Sequence, residues 1–192
     1  NYYYSRRIGA RPVGPASGAF VDYPTTTTIL GAAKLTGRLP SGTSIGLLGA
    51  VTDDEFASIS NGNQQSDVQV TPRTIWSVVR LIQEIGDQGS TVGAHLTAVH
   101  RTMSPDDPLA AILSRNAITA GADTRLRFKD RTYEARFNVG ITHVDGEATA
   151  IAGYQRRNSH LLQRIDQSTI RFDPTRNSMS GAQVTGTLSK IA

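Results

Sequence analysis

The chain is organised by a period of two. Across residues 132–144, Tyr133, Ala135, Phe137, Val139 and Ile141 alternate with Thr132, Glu134, Arg136, Asn138, Gly140 and Thr142. A pleated strand sends successive side chains to opposite faces, so this stretch predicts a strand with one apolar and one polar side. Residues 117–128 repeat the pattern, with Ile118, Ala120, Ala122, Leu126 and Phe128 set against Thr119, Gly121, Asp123, Arg125 and Arg127. The short link Lys129-Asp130-Arg131 makes the two a hairpin. Residues 73–85 and 90–101 form a second pair: Ile75, Val79, Leu81 and Ile85 lie against Trp76, Val78, Arg80, Ile82 and Glu84, and Val92, Ala94, Leu96 and Ala98 against Thr91, Gly93, His95, Thr97 and Arg101. Gly86 and Gly89, flanking Asp87-Gln88, supply the positive φ of a tight turn. A third pair, residues 28–38 and 43–52 around Leu39-Pro40-Ser41-Gly42, alternates less clearly because glycines interrupt both faces. Residues 178–191 are the seventh strand, with Ala182, Val184 and Leu188 opposite Gln183, Thr185, Thr187 and Ser189.

The connections alternate short and long. Tight turns fall near 39–42, 86–89 and 129–131, and long loops near 53–72, 102–116 and 145–177. This places all tight turns at one end of the sheet and all long loops at the other. Together with strands longer than the usual five or six residues, that asymmetry predicts an all-β fold: an antiparallel up-and-down meander forming an arc of a transmembrane β-barrel, about seven strands and open at both edges. A soluble sandwich or solvated sheet is the alternative. Residues 1–192 read as one barrel segment. Residues 53–72, rich in Asn, Gln and Ser, read as a solvated loop. Leu109 to Leu113, after Pro105 and Pro108, suit one helical turn, and residues 146–158 suit a short helix.

Composition narrows the classes. Twenty Lys+Arg against sixteen Asp+Glu leave a net charge of +4 in 192 residues, without basic runs, so nucleic acid is not the expected partner. The absence of Cys excludes disulfides, Cys-ligated metal and a thiol nucleophile. No apolar run reaches the ~18 residues of a membrane helix. With neither an initiator Met nor a signal peptide at Asn1, the chain reads as an interior piece of a longer polypeptide.

Several strings carry a family likeness. Tyr3-Tyr4-Ser5-Arg6-Arg7-Ile8-Gly9, the segment Thr28 to Gly37, Gly46 to Thr52, Ser90 to Val99 and Asp173-Pro174-Thr175-Arg176 resemble the barrel region of domain-of-unknown-function family 5916. The family-motif residues are Tyr4, Ser5, Arg6, Arg7 and Gly9. The resemblance implies an outer-membrane β-barrel that follows a family 9 carbohydrate-binding module, whose members are often labelled carbohydrate-binding proteins or hydrolases. The chain has no counterpart of that module, so carbohydrate binding is implied for the parent protein and for no residue here.

Candidate chemistry lies on the polar faces. Lys34, Arg38, Arg80, Glu84, Arg101, Asp123, Arg125, Arg127, Glu134, Arg136 and Asn138 are the candidate lumen-lining residues. Such a wall steers anionic or sugar-like solutes, or simply satisfies a wet interior with an Arg–carboxylate ladder. Arg6 and Arg7 could hold a phosphate or sugar, or tie a strand end to the wall. Tyr2, Tyr3, Tyr4, Tyr133 and Phe128 suit an interfacial aromatic girdle. His95 and His100, five apart on a strand, face opposite ways and form no metal pair, and His143 and His160 complete the imidazoles. Gly42-Thr43-Ser44-Ile45-Gly46 spells Gly-x-Ser-x-Gly, with His143 beside Asp145 as a nominal base, but a turn precedes the Ser and a strand follows it, where a nucleophile elbow needs strand then helix. Asp53-Asp54-Glu55 and Asp106-Asp107 lack the spaced ligands of a calcium loop and read as solvated charge. No phosphate-cradling Gly-rich loop is present.

The expectation is therefore a part of a bacterial outer-membrane β-barrel, a scaffold or pore in a parent protein linked to carbohydrate binding or utilisation. This segment is expected to be no enzyme and to need no cofactor. Its partners are outer-membrane lipid, the remaining strands of the parent barrel and, through missing domains, carbohydrate. A soluble carbohydrate-binding sheet, or part of a glycoside-acting enzyme, is the alternative. It would need paired carboxylates or an aromatic platform, and neither is present at suitable spacing.

Overall fold

The computed structural model describes residues 7–104, 106–157 and 171–191. Among these residues ten strands run β1 (Phe20–Asp22), β2 (Ile29–Arg38), β3 (Thr43–Thr52), β4 (Glu55–Asn61), β5 (Gln64–Thr71), β6 (Thr74–Ile85), β7 (Ser90–Arg101), β8 (Asn116–Phe128), β9 (Tyr133–Asp145) and β10 (Ser178–Lys190). Seven form one sheet in the order β10-β9-β8-β7-β6-β3-β2, each pair antiparallel. The other three form a small sheet, β1-β4-β5. The fold is thus an all-β antiparallel meander, interrupted once where β4 and β5 leave the large sheet between β3 and β6. Among the described residues the large sheet does not close on itself: β10 and β2 are its two edges.

The alternation produces these strands because every pair keeps its register. Val139 sits opposite Ala122 on β8 and Val184 on β10, and Arg80 opposite Gly46 and His95. Residues paired across an antiparallel ladder share a face. One face therefore collects Leu35, Leu47, Val79, Leu96, Ala120, Ile141 and Ala182, and the other collects Arg80, His95, Asp123, Arg125, Glu134 and Asn138. Both glycines of the 86–89 turn hold positive φ, +63° and +74°. At the third turn, Lys129, Asp130 and Arg131 all take positive φ of 51–65°.

The two faces differ in exposure in the direction opposite to a water-soluble sheet. Val139 is 47% exposed, Ile141 62% and Val184 77%, whereas Glu134 on the polar face is 4% exposed. Only Ala50 and Ala135 of the large sheet join the buried apolar residues among those described. The remaining buried apolar side chains, including Ala57, Ile59, Val70, Met103, Leu109 and Ile151, belong to a cap at the long-connection end.

That cap corrects the reading of residues 53–72 as a solvated loop. They form the hairpin β4–β5, which β1 extends as an edge strand. Ala57, Ile59 and Val70 are buried on its inner side, and Gly62-Asn63 forms its two-residue turn with Gly62 at positive φ, a hairpin signal hidden by the polar composition. A 3₁₀ turn, Pro108–Ala111, packs against it, begun by Asp107, whose carboxylate accepts from Leu109 N–H at 2.8 Å. Helix α1 (Ala148–Gln155) lies where residues 146–158 predict one. Its buried Gln155 exchanges two hydrogen bonds with the Asp173 backbone, at 2.8 and 2.9 Å. Residues 10–14 tie in through Gly14 N–H to Val70 O at 2.8 Å and Thr27 Oγ1 to Ala10 O at 2.6 Å.

Candidate functional site

The polar face of β6–β9 carries a connected ladder of charge. Arg80 reaches from β6 over β7 to Asp123 on β8, donating through both Nη atoms to the two carboxylate oxygens, the Nη2–Oδ2 bond being 2.9 Å. It passes above Gly93, where a Cβ would come within 2.8 Å of the guanidinium. Glycine is therefore what permits the crossing. Gly121 does the same for His95: a Cβ there would meet the imidazole at 2.6 Å and Val139 O at 2.5 Å.

One strand further, three guanidiniums converge on one carboxylate. Glu134 Oε2 accepts from Arg127 Nε at 2.9 Å, its Oε1 accepts from Arg136 Nε at 2.5 Å, and Arg125 stands 3.9 Å away. Register explains the meeting, because Arg127 pairs with Glu134 and Arg125 with Arg136 across the β8–β9 ladder. Asn138 opposes Asp123 and donates to Thr185 Oγ1 at 3.3 Å. Thr91, Arg80, Asp123, Arg125, Arg136 and Asn138 line a hollow of about 350 Å³.

The other candidates disperse. Arg38 bonds Glu84 at 2.6 Å near the tight-turn end, and Lys34 is exposed on β2. Arg101 joins a second hollow of about 260 Å³ at the opposite end, with Arg7, Gly9, Thr52, Thr74 and Trp76. There its Nη1 donates to Ser114 O at 2.9 Å, and Trp76 Nε1 donates to Thr52 Oγ1 at 3.3 Å. Tyr2, Tyr3, Tyr4, Ser5, Arg6, Pro105 and His160 lie outside the described residues. Phe128 and Tyr133 stack at 5.7 Å at the tight-turn end.

Ser44 sits inside β3 opposite Ile82, with β6, β7 and β8 between it and His143 on β9. At about 4.8 Å per strand the lateral separation alone is roughly 19 Å, and His143 lies further along β9 than Asn138, the residue in register with Ser44, so they form no nucleophile–base pair. His143 bonds Ser180 Oγ at 2.8 Å instead. The acidic strings are structural. Asp53 accepts from Arg73 Nη2 at 2.7 Å, Asp54 from Arg73 N–H at 2.7 Å and Gln69 Nε2 at 2.8 Å, and Glu55 from Thr28 N–H at 2.6 Å.

Residues 1–175 match the family model described as a domain of unknown function (DUF5916). The chain belongs to that family. No curated protein and no solved structure matches it. Among the DUF5916 strings quoted above, Asp173 to Arg176 builds a turn, with Asp173 Oδ1 accepting from Thr175 N–H at 2.9 Å and Thr175 Oγ1 at 2.7 Å. These bonds hold the Asp173 carboxyl below the usual range. Of the family-motif residues, Arg7 and Gly9 lie at the mouth of the second hollow, where Gly9 O accepts from Thr27 N–H at 3.2 Å. What sequence reasoning missed in this DUF5916 chain is the role of Gly93 and Gly121 beneath the crossing side chains. Their only sequence signal is glycine inside a strand, where it otherwise weakens the element.

The Asp53–Arg73 pair sets a pH response at the cap. Hydrogen bonding from Arg73 lowers the Asp53 pKa. A carboxyl with a lowered folded-state pKa contributes stability that is complete above its unfolded value, about 4, and is lost as the pH falls through the lower folded value. Protection of the Arg73 and Thr102 amides, taken relative to the intrinsic exchange rate at each pH, is expected to fall below about pH 4 in the native chain, and Arg73→Gln is expected to flatten that dependence.

Proposed function

We infer that this segment is an arc of a bacterial outer-membrane β-barrel, serving as a membrane scaffold or pore in a longer protein associated with carbohydrate. One observation carries the reading: the apolar face of the seven-stranded sheet is continuous across all its strands and is the exposed one. Soluble proteins rarely leave apolar patches beyond a few hundred Å² in water, so such a face calls for an apolar solvent or partner. Its height suits a bilayer. From Ile118 to Phe128, at about 3.4 Å per residue, the strand runs roughly 34 Å, and a tilt of about 40° reduces this to roughly 26 Å, near the ~25 Å band of outer-membrane barrels.

The open edges point the same way. Among the described residues, β2 and β10 leave their outer N–H and C=O groups without a neighbouring strand, which lipid does not tolerate, so the remaining strands of the parent barrel are the partners that complete the wall. The tight turns then mark the periplasmic side and the cap the outer side. The link to carbohydrate rests on the family resemblance alone.

The test uses the full-length parent. The chain has no Cys, so Phe137→Cys and Asn138→Cys each introduce one thiol into it. Adjacent positions on β9 face opposite ways. A membrane-impermeant thiol reagent is expected to label residue 138 and spare residue 137 in the outer-membrane fraction. A soluble parent, or equal labelling of both, would overturn the barrel reading.

A further inference from the structure

The polar face holds more positive charge than it neutralises. Arg80, Arg125, Arg127 and Arg136 face two carboxylates, Asp123 and Glu134, an excess of two charges (4 − 2). Asp123 is matched in full by the two-pronged contact from Arg80. Glu134 spends its two oxygens on Arg127 and Arg136. Arg125 has the 3.9 Å approach to Glu134 and a longer-range attraction to Asp123, and makes no hydrogen bond to a described residue through its guanidinium.

Arg125 and Arg136 also stand directly opposite one another in the β8–β9 register. Like charges in that position repel. The Nη atoms of both have no hydrogen-bond acceptor among the described residues, while both side chains line the 350 Å³ hollow beside Asn138 and Thr91. That volume suits a small molecule. Planar guanidinium forks match the oxygens of a carboxylate or phosphate, and an anion seated between the two would relieve their repulsion. Asp123 borders the hollow as well, with its charge taken up by Arg80, and the nearby Glu84 is paired with Arg38 at 2.6 Å.

We propose that this hollow is a binding site for an oxyanion, the carboxylate or phosphate of a small solute, held by Arg125 and Arg136 with Asn138 and Thr91 as neutral partners. The proposal rests on the barrel reading for its setting, a wall facing solute rather than lipid, and names the solute's chemistry.

The experiment is calorimetric titration of inorganic phosphate, and separately of gluconate, into the detergent-folded full-length parent at low salt. Saturable binding of at least one anion is expected, weakened about tenfold or more by Arg125→Gln and by Arg136→Gln. Arg38→Gln, on the same face but engaged with Glu84, is expected to bind as the native protein does. Arg125→Lys, which keeps the charge and loses the fork, should fall between and guards against a variant that does not fold. Phosphate binding alone assigns the site to phosphorylated solutes, gluconate binding alone to carboxylated ones, and both to oxyanions generally. No saturable binding to the native protein, or unchanged binding in Arg125→Gln, would overturn the proposal. The thiol labelling at positions 137 and 138 is independent of it, so failure of the site and failure of the barrel are told apart.

Discussion

Replacing Val139 with arginine is expected to lower the folding stability of the parent protein in lipid vesicles by about 2–4 kcal/mol, the cost of a guanidinium near the midplane of an outer-membrane barrel's lipid face. Val139 lies mid-strand on β9, between Ala122 and Val184 on its own face, and is 47% exposed, so no protein surface shields the new charge. Asn138→Arg, one residue away, places the same charge on the polar face, where it adds to an existing excess of arginine but meets no lipid, and should cost clearly less than Val139→Arg. Reversible urea titrations in vesicles measure both. Equal costs on the two faces would remove lipid from the apolar side.

Leu109→Ala is the second large effect. Leu109 is 1% exposed and packs with Met103, Ala110 and Leu113. Its Cδ2 lies so near Gly14 that a Cβ there would come within 2.7 Å. Truncating a leucine in such a site costs about 2–5 kcal/mol, through lost transfer energy and the cavity left behind. The cap strands pair with one another and with no strand of the large sheet, so the loss is expected to open the cap locally rather than unfold the strands. Amides of residues 55–71 should then exchange faster while those of residues 133–145 keep their protection. Equal loss in both would make cap and sheet one cooperative unit.

The seven strands of the large sheet were legible because each is long, and because Tyr133 to Ile141 and Val92 to Ala98 repeat an unbroken period that Ile118 to Phe128 shares apart from Thr124. The tight turns were legible for a related reason. Gly86 and Gly89 can adopt a backbone that other residues resist. The cap hairpin was not, because β4 and β5 are short and bury small or isolated apolar residues, Ala57, Ile59 and Val70, among serines, glutamines and asparagines. Loop-like composition outweighed the alternation at Ala57 and Ile59.

The candidate site divides in the same way. Membership of a polar face followed from parity alone, so Arg125, Arg127, Glu134 and Arg136 could be placed on one side of a hairpin before any register was known. Which of them touch is a matter of register and of reach across strands. The Arg80–Asp123 contact spans residues 43 apart in the chain. It exists because Gly93 leaves the intervening strand bare, and the separation of Arg101 from this cluster follows from its place at the other end of β7.

By itself, then, the sequence determined the period, the strand lengths, the order of tight and long connections and the two chemically distinct faces. All of these are properties of neighbouring residues along one chain. Tertiary structure alone decided that β4 and β5 leave the sheet, that the apolar face is the uncovered one, and that four arginines share two carboxylates. Those outcomes depend on which distant strands pair and in what register, and pairing energy belongs to two segments at once.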